Sequence, residues 1–187
     1  MEDKRIAVFF PGIGYTNDKP LLYYARKLYA NAGYEIKLVE YDGFPAGVFD
    51  NDHKIRESVN IALKQTEKIL EDTDFNLYDE VVFVGKSIGT AVASCYGSKV
   101  LHNDRIRYVF LTPLELSFEN EIRNCIVFTG DNDPWVGKEK SIIPRICKEK
   151  GIPCHIYKGC NHSLESGNVP NDIKVLENVT EIIKEYT

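Results

Sequence analysis

The stretch Gly85-Lys86-Ser87-Ile88-Gly89 lies between an apolar run, Val81-Val82-Phe83-Val84, and a run of small residues, Thr90-Ala91-Val92-Ala93-Ser94. The apolar run is typical of a strand buried on both faces, and the residues after the glycine favour a closely packed helix. The two glycines remove side chains that would collide where the strand and the helix nearly touch. The sequence therefore predicts a sharp strand-turn-helix whose serine hydroxyl projects into a cleft.

Two other interpretations of this stretch compete with a reactive serine. Gly85-Lys86-Ser87 resembles the end of a phosphate-binding Walker A loop, but that motif needs a glycine at position 80, where this chain has Glu80. In the second interpretation the turn is only a tight joint between strand and helix, with a solvent-exposed serine. The strand-turn-helix context favours the reactive serine over both.

Length and charge argue against several classes of function. A chain of 187 residues is long enough for one domain, 1–187, with an ordinary core. A net charge of -5 gives no basic surface for nucleic acid or for an anionic membrane. No apolar segment reaches membrane-spanning length, and the N-terminus lacks the apolar stretch of a signal peptide. The expected location is therefore cytoplasmic.

The five cysteines do not match a disulfide framework or a zinc site. Their number is odd and no two are spaced as C-x-x-C, so reduced thiols are expected. The sequence implies no metal and no organic cofactor. The cysteines are Cys95, Cys125, Cys147, Cys154 and Cys160.

Strand patterns alternate with helical patterns along the whole chain. This order predicts an α/β fold with a mostly parallel sheet of about six strands and helices on both faces. The predicted strands cover residues 5–10, 34–41, 80–84, 106–111, 125–129 and 154–157. The predicted helices cover residues 19–32, 52–72, 87–100, 138–149 and 171–184.

Chemically active side chains follow several of the predicted strands. Carboxyl ends of parallel strands meet at one edge of a sheet, which is where such sheets bind ligands. Ser87 follows the third strand, Asp131 and Asp133 follow the fifth, and His162 follows the sixth. A serine, a carboxylate and an imidazole are thus expected on one edge, in that chain order.

Each of these residue types suits one step of nucleophilic chemistry. A serine hydroxyl is a weak nucleophile until a base takes its proton. His162 is the candidate base, because imidazole titrates near neutral pH and the other histidines lie in or beside predicted helices and strands. From the residues alone, the acid that orients the imidazole is either Asp133 or Asp131.

The glycines after the first strand allow a different interpretation. Gly12-x-Gly14, with Glu40 or Asp42 at the end of the next strand, is part of a dinucleotide-binding fingerprint. Asn17 stands where the third glycine of that fingerprint belongs. Helix and sheet would then pack more loosely than nucleotide binding requires, so the fingerprint is the weaker interpretation.

These motifs together resemble the α/β-hydrolase fold superfamily over nearly the whole chain. They are the glycine loop, the G-x-S-x-G turn, G-D-x-D-P at residues 130–134 and N-H-S-L at residues 161–164. The chain looks like a small, capless serine hydrolase, with the usual leading strands missing and no insertion long enough for a cap. The resemblance implies Ser87 as nucleophile, His162 as base and Asp133 as acid, since family acids commonly stand three residues after the glycine and before a proline.

The resemblance also implies an oxyanion hole made of two backbone N–H groups. One belongs to Ile88, the residue after the nucleophile. The other comes from the glycine loop, with Ile13 preferred over Gly14. The loop departs from the frequent His-Gly start of the family because Pro11 stands there, which leaves the second donor open.

Residues that follow the strands are candidates for a substrate pocket, with packing at its rim as the alternative. Lys86, beside the nucleophile, either supplies local positive charge or points to the surface, and the second is the more common case. The pocket candidates are Gly12, Gly14, Tyr15, Phe44, Leu114 and Trp135.

The predicted function is a serine hydrolase that cleaves a small carboxylic ester, thioester or amide through an acyl-enzyme intermediate. Its expected partner is a small-molecule acyl substrate, with no nucleic acid and no membrane. A shallow cleft without a lid would favour short acyl chains. An acyltransferase would carry the same motifs, and a catalytically idle scaffold that binds a ligand or a protein is the other alternative. The sequence does not indicate an oligomeric state.

Overall fold

The computed structural model describes residues 3–102, 104–136 and 142–187. Its six strands form one parallel sheet, which confirms the predicted α/β fold. The strand order across the sheet is β2-β1-β3-β4-β5-β6. The strands are β1 (Arg5–Phe10), β2 (Glu35–Leu38), β3 (Glu80–Lys86), β4 (Ile106–Leu111), β5 (Asn124–Gly130) and β6 (Cys154–Tyr157).

Helices follow the strands as the alternating pattern predicted. Three short 3-10 turns, at Phe75–Leu77, Glu115–Phe118 and Pro134–Val136, complete the described elements. The helices are α1 (Pro20–Asn31), α2 (Asp52–Ile69), α3 (Ile88–Val100), α4 (Ile142–Lys150) and α5 (Val169–Tyr186).

Some predicted boundaries differ from the observed ones. The second strand was predicted over residues 34–41, but β2 is shorter because β1 beside it ends at Phe10 and then turns at Pro11. The predicted helix 52–72 ends at Ile69. The last helix begins two residues before its predicted start, with the Asn168 side chain capping it by accepting the N–H of Asn171. Residues 138–141 of the predicted fourth helix lie outside the described residues.

The sheet is buried on both faces because its strand residues alternate between two hydrophobic layers. In β1, Ile6, Val8 and Phe10 face the layer covered by α2, α3 and α4. Ala7 and Phe9 face the layer covered by α1 and α5. The continuously apolar strands in the sequence are therefore central strands with a helix layer on either side.

The turn after β3 is possible only because its two glycines lack side chains. A Cβ atom on Gly85 would lie 2.7 Å from the Cα of Thr90. A Cβ atom on Gly89 would lie 2.1 Å from the carbonyl oxygen of Phe10 and 2.5 Å from that of Pro11. Gly85 thus keeps strand and helix from colliding, as the sequence predicted, whereas Gly89 lets the start of α3 touch the backbone at the end of β1, a contact that the sequence did not indicate.

None of the helices in the described ranges is both long and apolar enough to cross a membrane.

Gly89→Ala is expected to destabilise the fold strongly, because the new methyl group would collide with backbone atoms that cannot move aside. The free energy of unfolding should fall by about 3 kcal/mol. Gly151→Ala is the matched control, because Gly151 has a φ of +68° but open space around its Cα. That change should cost only about 1 kcal/mol for the left-handed backbone. Equal losses in urea unfolding would contradict the close contact at Gly89.

Candidate active site

Ser87 sits on a strained turn at the carboxyl edge of the sheet. Its φ of 56° and ψ of -125° are unusual for a residue with a side chain. Its N–H donates to the carbonyl of Leu111 at 3.0 Å, and the Thr90 hydroxyl donates to its carbonyl at 2.5 Å. These bonds hold the backbone of Ser87 between β4 and the first turn of α3, so the strain is maintained by its surroundings.

A continuous hydrogen-bonded line joins Ser87, His162 and Asp133. The Ser87 Oγ lies 2.7 Å from Nε2 of His162, and Nδ1 of the same ring lies 2.7 Å from Oδ2 of Asp133. Because a carboxylate only accepts hydrogen bonds, the ring carries its proton on Nδ1. Nε2 is then free to accept the hydrogen bond that the serine hydroxyl donates.

The two candidate acids have different positions. Asp133 is completely buried, and its Oδ1 accepts the N–H of Trp135 at 2.8 Å. Asp131 is exposed and accepts the N–H of Gly159 at 2.5 Å, which ties the loop after β5 to the loop after β6. Asp133 is therefore the candidate acid that contacts the imidazole, and its role as the orienting acid stays a prediction.

The loop that carries His162 is held from two sides. The hydroxyl of Thr112 donates to the backbone carbonyl of His162 at 2.9 Å. Thr112 itself has a φ of 45°, which is rare for a β-branched residue and marks local strain. On the other side, Gly130 lets the loop approach, since a Cβ there would lie 2.0 Å from the carbonyl oxygen of Cys160. Thr112 could not be identified from the sequence, because a threonine after a strand carries no distinctive pattern.

The imidazole is shielded from water and kept unprotonated. The indole ring of Trp135 stacks on His162 with the ring centroids 5.2 Å apart. Burial lowers the pKa of His162 to about 4, and the nearby Lys86 also lowers it, while Asp133 opposes the shift. A neutral imidazole is the form that can take a proton from Ser87.

Lys86 does not point to the surface, so the surface orientation that the sequence favoured for it is wrong. Its side chain is 1% exposed, and its ammonium nitrogen lies 4.7 Å from the centroid of the Tyr15 ring. Burial lowers the pKa of Lys86 to about 7, against the opposing attraction of Asp133. Strand β3 continues through Lys86 and turns the side chain inward, whereas the predicted strand stopped at residue 84.

The glycine loop lies directly against the serine turn. A Cβ on Gly12 would be 3.0 Å from the Cβ of Ser87, and Gly12 and Tyr15 exchange two backbone hydrogen bonds of 3.0 and 3.2 Å. Ile13 lies inside this small turn, and Ile88 is the first residue of α3. Among the described residues neither N–H has a backbone acceptor. Both groups are therefore available, but their role as oxyanion donors stays a prediction.

An open groove of about 940 Å³ lies beside this loop, at the ends of β1 and β2. Three of the predicted pocket residues, Gly12, Gly14 and Phe44, line it. The other three do not. Tyr15 lies against Lys86 and accepts the N–H of Leu21, Leu114 is 4% exposed in the core, and Trp135 covers His162.

Asn17 also lines the groove, and its position explains why the dinucleotide fingerprint fails. Its side-chain N–H donates to the carbonyl of Val39 at 2.9 Å, which fastens the glycine loop to the chain beyond β2. A helix N-terminus does not follow Gly14 directly, because α1 begins only at Pro20. The site where a dinucleotide phosphate would bind is therefore not formed here.

An aromatic contact crosses the site from the β2 side to the β5 side. The ring of Phe49, in the segment between β2 and α2, meets Trp135 at 5.1 Å in an edge-to-face arrangement. Phe49 is 52% exposed, although most large apolar side chains are buried. Phe49 could not be identified from the sequence, because the segment 42–51 lacks a strand or helix pattern that would fix the direction of its side chain.

Within the described part of the chain, no three His, Cys, Asp or Glu side chains are grouped so that they could hold a metal ion.

Solved structures with the α/β-hydrolase fold are similar to this chain over nearly its full length. Est1E from Butyrivibrio proteoclasticus has a TM-score of 0.66 at 13% identity, covering 100% of this chain and 88% of that chain. An alpha-beta serine hydrolase homologue from Coxiella burnetii has a TM-score of 0.63 at 14% identity, covering 96% and 86%. A serine hydrolase described as lacking a lid, from Xanthomonas campestris, has a TM-score of 0.56 at 13% identity, covering 100% and 85%.

No protein-family model and no curated protein sequence matches the chain. At these low identities the structural likeness shows the fold alone. The chain has the α/β-hydrolase fold, as the sequence motifs implied.

Asp133→Asn should abolish the reactivity of Ser87 toward a fluorophosphonate, whereas Asp131→Asn should leave it nearly intact. An asparagine at position 133 can donate to Nδ1, which favours the wrong imidazole tautomer; a similar change cost about 10⁴ in rate in a well-studied triad. At position 131 an asparagine oxygen can still accept the N–H of Gly159, so the labelling rate should stay within about threefold. Similar losses of labelling in the two variants would contradict the role of Asp133 in orienting His162.

His162 should titrate well below the ordinary range of histidine. Because burial and Lys86 both lower its pKa, the ring should stay neutral until the pH falls toward 4. The measurement is an NMR titration of the ring nitrogens, with the exposed His53 as the internal control. A midpoint at or above 6.5 would contradict the shielding described for the site.

Proposed function

We propose that this protein is a serine hydrolase that cleaves a small carboxylic ester, thioester or amide. The observation that carries the proposal is the line from Ser87 through His162 to Asp133, with both junctions at 2.7 Å. In an idle scaffold there would be no reason to keep a buried carboxylate and a strained serine in this alignment.

In the proposed reaction, Ser87 Oγ attacks the carbonyl carbon of the substrate while its proton moves to Nε2 of His162. The carbonyl oxygen becomes negatively charged and is stabilised by the N–H groups of Ile88 and Ile13. His162 then gives the proton to the leaving alcohol, thiol or amine as its bond to the carbonyl carbon breaks. Water then attacks the acyl-enzyme in the same way, giving its proton to His162. His162 returns this proton to Ser87 Oγ, which releases the acid and restores the enzyme.

Carboxylic esters are the preferred substrates in this proposal. One of the similar structures is Est1E with bound ferulic acid, a carboxylic acid, at 14% identity and a TM-score of 0.66. The open groove shares Gly12 with the serine turn, although neither Ser87 nor His162 lines it, and in this proposal it receives the part of the substrate beyond the reacting carbonyl.

Ser87→Ala should remove both fluorophosphonate labelling and hydrolysis of p-nitrophenyl acetate. The loss should be several orders of magnitude, because the variant lacks the attacking oxygen while its methyl group fits the same space. Ser98→Ala on the exposed side of α3 is the matched control and should keep the wild-type rates.

Hydrolysis at the wild-type rate by Ser87→Ala would overturn the proposal, and so would a wild-type protein that neither reacts with the probe nor cleaves any ester. Adding a competing alcohol tests the reaction type. Free acid as the main product supports hydrolysis, whereas an ester of the added alcohol as the main product would show acyl transfer instead.

A further inference from the structure

Lys86 is a buried cation beside the proposed nucleophile, and the proposed reaction does not use it. It ends β3, pairs in register with Leu111 of β4, and is 1% exposed. Among the described residues no carboxylate forms an ion pair with it within 4 Å. Burying an ammonium group without such a partner costs several kcal/mol, so packing alone does not explain a lysine here.

The groups around Lys86 come from three different loops of the site. Tyr15, after β1, presents its ring face to the ammonium nitrogen at 4.7 Å. Asp133, after β5, raises the pKa of Lys86. Lys86 in turn lowers the pKa of His162, which follows β6. Glu165, on the loop after His162, raises the pKa of Tyr15.

The contact with Tyr15 also connects Lys86 to the glycine loop. A cation over an aromatic ring is attracted by the negative ring face, and the attraction increases when water is excluded. Tyr15 closes the small turn with Gly12 in which Ile13 lies, and its hydroxyl accepts the N–H of Leu21. The ammonium group therefore contacts the side chain that supports a proposed oxyanion donor.

We infer that Lys86 is a positioning residue of the active site: its buried ammonium group supports the Tyr15 ring and, from the position next to Ser87, whose Oγ lies 2.7 Å from His162, acts on the imidazole through its charge. Its effect on reaction rate rests on the proposed function, but its effect on His162 does not.

The consequence for His162 follows from the sign of the charge. A cation nearby makes it harder for the imidazole to gain a proton, in the same direction as burial and against Asp133. The base therefore stays unprotonated in mildly acidic solution. Once it has taken the serine proton, the resulting imidazolium is a stronger acid toward the leaving group.

The test is an NMR titration of His162 in the wild type and in Lys86→Met. Methionine keeps a similar length without the charge, so the pKa of His162 should rise by about one pH unit. The melting temperature should stay the same or rise, because a buried charge has been removed. Lys99→Met is the control for lost charge, since Lys99 is exposed and paired with Glu67 away from the site; the His162 midpoint should not move.

Lys86→Gln is measured in parallel, so that the test does not depend on one variant folding. An unchanged His162 midpoint in the folded neutral variants would overturn the inference, and so would an equal shift in Lys99→Met. The same titrations in a Ser87→Ala background need no activity. A wild-type protein that does not react with fluorophosphonate would contradict the proposed function. The effect of Lys86 on the pKa of His162 could still be measured in that protein.

Discussion

The backbone contact between Gly89 and the end of β1 places the serine turn against the glycine loop. A methyl group at Gly89 would come within 2.1 Å of the carbonyl oxygen of Phe10, so strand and helix meet there without side chains between them. The turn at Ser87 beside this contact has a strained φ of 56°, and Gly12 of the glycine loop lies directly against it. The sheet supplies the rigidity that maintains the strain, because its central strands are buried on both faces.

Burial makes this edge of the sheet chemically different from the rest of the surface. Asp133 and Lys86 are almost completely buried there, and His162 is hydrogen-bonded to Asp133 under the indole of Trp135. In such surroundings each charge acts strongly on its neighbours. The protonation state of the imidazole is therefore set by three loops together, which the order of the strands has brought to one place.

Most of the fold and the three aligned side chains could be predicted from the sequence, because both depend on local patterns. Continuous apolar strands, glycines at a tight turn and polar residues after strands each have one common structural meaning. The inward direction of Lys86, the contact of Phe49 with Trp135 and the open groove depend on loop conformation and tertiary packing instead. Nothing in the neighbouring residues determines them, so the sequence favoured an exposed lysine and did not indicate the groove or the aromatic contact.

The central claim is that Ser87 forms a covalent acyl intermediate, and trapping that intermediate tests it most directly. The protein is quenched in acid during turnover of p-nitrophenyl acetate, digested and analysed by mass spectrometry. One acetyl group is expected on the peptide that contains Ser87, and it should be absent after incubation without ester. Acetylation confined to another nucleophile such as Cys95 or Lys99, or turnover with no acylated peptide at any time, would contradict it.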